Sequence, residues 1–143
     1  MREGREICFP YLPDREPWPC LEARISNPVS GSSFPSEGWE PIPIDTGYEG
    51  FLLIPEDLYR ALSCWMRELP RTSWPTFLMP DGRTVRGRAA LLKIEIKEVI
   101  TADIVSETFP GCELMLIGRA LLRSLEVRLV GPEQKACVLR RSE

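Results

Sequence analysis

Asp45-Thr46-Gly47 is the stretch of this chain best suited to chemistry. An apolar segment, Ile42-Pro43-Ile44, delivers one carboxylate into a turn, and Tyr48-Glu49-Gly50 leads out of it into a second apolar run, Phe51-Leu52-Leu53-Ile54. Thr46 brings a hydroxyl that bonds locally, Gly47 takes backbone angles closed to other residues, and Gly50 permits a second close approach of backbone. An acid held on a rigid loop between two buried strands suits one half of a catalytic pair. Two carboxylates a few ångströms apart do not both ionise readily. They share a proton, so one can take a proton from water while the other donates to a carbonyl. Such a pair hydrolyses an amide with water directly and needs no covalent enzyme intermediate.

The remaining composition narrows the choice. The chain has no His, which removes Ser-His and Cys-His nucleophilic systems and the usual zinc hydrolase sites. Of the other Asp residues, Asp57 suits a helix start and Asp81 a turn, while Asp14 and Asp103 have no supporting setting. Cys8, Cys20, Cys64, Cys112 and Cys137 are odd in number and widely spaced. They read as scattered reduced core thiols, with no metal site and no cofactor expected. Arg83, Arg86 and Arg88 form a local basic cluster without interleaved aromatics, which reads as a solvated face.

The 143 residues suffice for one domain with a sizeable core. A net charge of -3 gives no reason to expect nucleic acid or an anionic membrane as partner. No apolar run approaches the length of a membrane span. The charged start, Met1 to Glu6, lacks a signal-peptide core, so a cytoplasmic location is expected.

The elements that must position Asp45 follow from local pattern. Residues 1–20 carry Pro10, Pro13, Pro17 and Pro19 and read as an extended arm over the surface, with Tyr11 and Trp18 as anchors. Residues 21–143 form the domain. Leu21 to Ile25 alternates as a half-buried strand, ended by Asn27-Pro28. Pro55 to Leu69 reads as the main helix, with Leu58, Ala61, Leu62, Trp65, Met66 and Leu69 on one apolar face. Trp74 to Met79 and a long strand from Arg83 to Ile96 flank a turn at Pro80-Asp81-Gly82. Further strands are expected at Glu98 to Val105 and Glu113 to Ile117, then a short helix at Arg119 to Ser124. A closing hairpin pairs Glu126 to Val130 with Ala136 to Leu139. Many short strands with turns point to a closed or sandwich-like β domain.

Three short motifs in this order carry a resemblance: Asp45-Thr46-Gly47 after apolar residues, a hairpin with a Gly tip, and Leu116-Ile117-Gly118 leading into a short helix. Over about residues 21–130 the chain resembles the retropepsin-like aspartic peptidases, single-domain relatives of pepsin that act as homodimers. The resemblance implies a mainly β, acid-protease closed barrel with one main helix and a short C-terminal helix. It implies an endopeptidase acting on peptides or unfolded protein, with Asp45 facing its own copy across a two-fold axis. Thr46 would cross-link the two loops, and Gly47 would let substrate approach the backbone. Met79, Pro80, Asp81, Gly82 and Arg83 would form the flap over a bound peptide. Tyr48 stands where many retropepsins have Ala or Ser, so it would reshape the cleft. Glu49 and Arg119 would form an ion pair bracing the site, with Ile117 and Gly118 in support. The flap, with its Pro80 and little Gly, departs from the family pattern.

Two other readings remain. The same homodimeric fold could bind a peptide or partner without cutting it. Alternatively, Asp45 is a turn acid bonding nearby amides in a small β domain that assembles with another protein; a monomer with Asp45 bonded to its own backbone favours that reading.

Overall fold

The computed structural model describes residues 4–14 and 16–141; the expectations for Met1 to Glu3, and the last two residues of the expected domain, lie outside them. Two sheets and a separate hairpin share one chain. β1 (Gly4–Pro10) pairs along its whole length with β12 (Lys135–Arg141), and β11 (Val127–Val130) covers the other edge of β12. The N-terminal segment is therefore a strand over residues 4–10, not a surface arm. Its first proline is Pro10, the last residue of the strand, and β1 is an edge, where a missing amide costs no ladder bond. Only the following loop stands apart from the sheets, closed at its base by the Leu12–Trp18 bridge.

The second sheet holds the core. Its strands are β2 (Cys20–Ser26), β3 (Ser33–Phe34), β4 (Glu40–Pro43), β5 (Leu52–Leu53), β8 (Arg88–Ile96), β9 (Ile100–Thr108) and β10 (Leu116–Ile117). The order is β10-β5-β9-β8-β2-β3, with β4 also on β2. Alternation along β8 buries Leu92, Ile94 and Ile96, as the sequence predicts, and they pack with Leu21, Ile25, Ile42 and Ile117. Phe9, Ala136 and Val138 of the terminal sheet join the same cluster. The result is a curled half-barrel with a mainly β content. The ladder is not continuous as expected for a closed barrel: β4 and β10 meet only through the parallel bridge between Ile44 and Ile117.

The expected long helix is broken. α1 covers Glu56–Ala61, and a 3-10 turn follows at Cys64–Arg67, with Ser63 between them at φ 54°. The cause is the fully buried Asn27. Its side-chain amide donates to the carbonyls of Leu62 (2.9 Å) and Ser63 (3.1 Å), the acceptors a continuing helix would use. The turn leaves Trp65 65% exposed, off the core face the helical spacing assigned to it.

The expected strand from Arg83 to Ile96 is likewise divided. β7 (Thr84–Arg86) pairs with β6 (Thr76–Leu78) in a two-stranded hairpin, and β8 begins after Gly87. A Cβ on Gly87 would lie 2.6 Å from both the Phe77 ring and the Thr108 carbonyl, so the chain crosses there with no room for a side chain. α2 (Arg119–Leu122) follows β10 directly. Among the described residues no helix is long and apolar enough to cross a membrane.

One further expectation fails. Cys8 and Cys137 are directly opposed in the β1–β12 ladder and form a disulfide, so the five cysteines are not all reduced thiols. The residues lie 129 apart in sequence, and only strand pairing brings them together. Cys20, Cys64 and Cys112 remain free and buried. Burial pushes the Cys20 thiol up to about 11 and that of Cys64 to about 12, which leaves them unreactive.

Candidate active site

Asp45 sits where the two edges of the half-barrel meet. Its amide donates to the Ile117 carbonyl at 2.9 Å, and the preceding Ile44 amide donates to Pro19 at 2.9 Å. The Trp18 indole N–H donates to the Ile44 carbonyl at 2.9 Å, anchoring the Pro-rich loop beside the acid. The backbone before Asp45 is thus gripped by β10 on one side and by the residues entering β2 on the other.

The turn itself is compact. Asp45 Oδ1 accepts the Gly47 amide at 2.8 Å, and the Tyr48 amide donates to the Asp45 carbonyl at 3.2 Å. Gly47 is not in the left-handed region expected of it; the observed demand is space, since a Cβ there would lie 3.1 Å from Asp45 Oδ1. Thr46 is exposed, and among the described residues none bonds its hydroxyl.

Gly118 requires the absence of a side chain. A Cβ there would strike the Gly50 carbonyl oxygen and lie 2.7 Å from the Tyr48 carbonyl oxygen. This approach lets Arg119 and Ala120 donate their amides to Tyr48 (2.8 Å) and Gly50 (3.1 Å), clamping α2 onto the Asp45 loop. Arg119 also reaches Glu49, at 3.1 Å, as the sequence led us to expect. The Glu49 side chain is 85% exposed, so the pair orders the rim and adds little stability.

Tyr48 differs from expectation. Its ring packs against Gly118 and Gly50, and its hydroxyl donates to Glu107 Oε1 at 2.5 Å, so the side chain is spent on the protein body. Burial pushes the Tyr48 phenol above its ordinary value, and the Glu107 carboxylate adds to that. Burial likewise pushes the Glu107 carboxyl above the usual carboxylate range, only partly offset by the Tyr48 hydrogen bond. Glu107 gives no signal in the sequence, because its place in the β9 alternation reads as solvent-facing; the loop covers it only in the fold.

The hairpin tip is stitched to itself. Met79 and Arg83 bond at 2.8 Å through the backbone, and Asp81 binds both the Arg83 amide (3.0 Å) and its guanidinium (2.6 Å). Pro80, Asp81, Gly82 and Arg83 are exposed, and among the described residues no hydrogen bond or ion pair joins the tip to the Asp45 loop. The hairpin's described aromatic anchor is Phe77 against Phe109, with ring centroids 5.0 Å apart. The basic cluster is not bare: Arg71, Arg86 and Arg88 surround Trp74 at 5.6 to 6.0 Å, an aromatic too far along the chain from Arg86 and Arg88 for spacing to reveal.

Among the described residues, Glu6, Cys8 and Cys137 are grouped closely enough to hold a metal ion. The two sulfurs are bonded to each other and Glu6 pairs with Arg128, so no free ligand set is left. A cavity of about 590 Å³ beside this group is lined by Leu125, Glu126 and Leu139, and no residue of the Asp45 loop borders it.

No family model matches the chain. Among solved structures, a retropepsin-like aspartic protease from Rickettsia conorii superposes with a TM-score of 0.62, covering 99% of this chain and 96% of that one at 15% identity. This likeness establishes the fold. An uncharacterized protein of Archaeoglobus fulgidus is 30% identical over 112 residues, which span 78% of this chain and 85% of the archaeal one. The chain belongs to one family with that uncharacterized archaeal protein, and it is built on the retropepsin-like fold.

Proposed function

We propose that the protein is a homodimeric aspartic endopeptidase whose catalytic pair is Asp45 and the Asp45 of a second copy. The observation that carries the reading is Asp45-Thr46-Gly47 at the seam of a retropepsin-like half-barrel, with one carboxylate oxygen fixed by the Gly47 amide. The other oxygen has no bond within the described chain and is free to face a partner acid. In the dimer the two carboxylates share one proton. The ionised member takes a proton from a water held between them, and that water attacks the scissile carbonyl. The protonated member donates to the carbonyl oxygen as it becomes an alkoxide. Thr46, with its unengaged hydroxyl, would tie the two loops together, and the 76–86 hairpin would close over a bound peptide.

The Asp45–Gly47 bond is also what a turn-forming Asp makes, so it equally suits a non-catalytic module. The test is cleavage of a denatured protein at acidic pH by wild type and by Asp45→Asn, with molar mass in solution measured alongside. A dimer that cuts, and whose Asn variant retains less than about a thousandth of the rate, supports the peptidase. Equal cutting by both, or none by either, leaves the binding module; a strict monomer removes the dyad altogether.

A further inference from the structure

Strand register puts four side chains on one face of the terminal sheet. Cys8 is directly opposite Cys137, and Cys137 is directly opposite Arg128. Glu6 lies two residues before Cys8 and so shares its side of β1. A carboxylate oxygen of Glu6 and the two sulfurs lie within 4.8 Å of one another. While the disulfide is closed, the sulfurs are bonded to each other and offer a metal little.

Opening that bond changes what the cluster can do. Cys8 is exposed on the edge strand β1, where a reductant can approach it. A dithiol reductant supplies the electrons. One of its thiolates bonds to the Cys8 sulfur, and the electron pair of the disulfide leaves on Cys137. Its second thiolate then displaces the Cys8 sulfur and closes the reductant's own disulfide. The chain is left with two thiols that still face each other, because Gly4 to Pro10 remain paired with Arg141 to Lys135. Phe9, Ala136 and Val138 keep both strands anchored in the core.

The geometry points to Glu6, Cys8 and Cys137 as a zinc site that forms when the Cys8–Cys137 disulfide is reduced. Two thiolates on one tetrahedral zinc stand ~3.8 Å apart, given Zn–S bonds of ~2.3 Å, and that separation falls inside the span of the cluster. The third ligand is already in place. Both bonds that Arg128 makes to Glu6 end on Oε1, and among the described residues Oε2 has no hydrogen bond. The charges balance, since two thiolates and a carboxylate are matched by a divalent ion and the Arg128 guanidinium. Sulfur ligands disfavour calcium and magnesium, and a set of three protein ligands leaves the fourth position of zinc to water. That position has a way in, because Glu6, Arg128 and Cys137 also line the cavity beside them. Binding releases the two thiol protons. No spacing in the sequence announces the set, because its sulfurs are 129 residues apart.

The site stands apart from the peptidase reading, and its test needs no activity. The full chain is reduced with a dithiol, freed of reductant without air, mixed with zinc and desalted; bound zinc and its Kd are then measured. Reduced wild type should hold one zinc per chain, and oxidised wild type none. Glu6→Gln keeps both cysteines and should bind at least about tenfold more weakly. The Cys8→Ala/Cys137→Ala variant retains the buried Cys20, Cys64 and Cys112 and should hold none, which separates this site from the other thiols. Cobalt(II) in place of zinc should give thiolate-to-metal charge-transfer absorption in reduced wild type. The thermal midpoint of reduced wild type should rise by up to about 9 °C with free zinc at about a hundred times Kd. Zinc held equally by the double variant or by oxidised wild type overturns the site. So do equal affinity in Glu6→Gln, a cobalt form without the charge-transfer band, and a reduced wild type that holds no zinc.

Discussion

Removing the Cys8–Cys137 bond tests how far the terminal sheet is held by covalent linkage. The two cysteines are 129 residues apart, so the bond closes nearly the whole chain into a loop. For a loop of that length, chain entropy gives a stabilisation of about 5 kcal/mol at 25 °C, which is an upper bound because real denatured chains are already compact. Unfolding 143 residues releases roughly 300 cal/mol/K near the midpoint, so losing the bond should lower Tm by up to about 17 °C. Much of that loss should act through the unfolded state, because β1 and β12 keep their ladder when the sulfurs separate. The assay is thermal unfolding with and without reductant, for wild type and for the Cys8→Ala/Cys137→Ala double variant. Reductant should bring wild type down toward the variant and leave the variant where it was. A wild-type midpoint unmoved by a reductant that opens the bond, as counted by thiol titration, would refute the entropy argument. Five titratable thiols in the unreduced, denatured protein would refute the bond itself.

Gly118→Ala should destabilise by about 2–3 kcal/mol, because its new methyl meets the Gly50 and Tyr48 backbone, which cannot turn aside as a side chain would. Gly131→Ala, with nothing within 4 Å of the added carbon, should stay within about 0.5 kcal/mol, and equal losses for the two would undo the reasoning. Glu68 binds Arg88 through two bonds, at 2.5 and 2.8 Å, and accepts the Tyr59 hydroxyl at 2.9 Å. Burial pushes its carboxyl up, but Arg88 and Tyr59 outweigh this and hold it below the usual range. A lowered carboxylate contributes stability above its unfolded pKa and loses it as pH falls through the folded one. Glu68→Gln should therefore cost about 1 kcal/mol at neutral pH, discounted for the half-exposed Arg88, and that difference should shrink in acid. A gap in chemical-denaturation midpoints that widened on acidification would contradict the sign.

Periodicity was a sound guide where one face of an element meets the core and the other meets water. The alternation of β8 and the placement of β2 and the 127–141 hairpin were legible for that reason. It failed where a distant group intervened. Helix pattern continued through Leu69, but Asn27, more than thirty residues earlier, takes the carbonyls on which the helix would have grown. The Pro-rich start read as an arm because proline weighs on local propensity, whereas β1 is an edge strand completed by β12.

The sequence by itself narrowed the candidate chemistry. With no His, a lone Asp-Thr-Gly between apolar runs, and Ile117-Gly118-Arg119 leading into a short helix, it singled out Asp45 as the candidate acid, and the Glu49–Arg119 contact that it predicted is present in the fold. Those are matters of residue type and short-range order, which a chain carries in one dimension. The tertiary structure alone decided what lies behind Asp45: the Trp18 bond to Ile44, the Ile117 carbonyl that receives the Asp45 amide, and the Tyr48 phenol bonded to Glu107. Each of these joins residues 26 or more positions apart, and none has a partner until the strands register. A carboxyl reads as a surface group in sequence, and only the folded loop brings a phenol onto it.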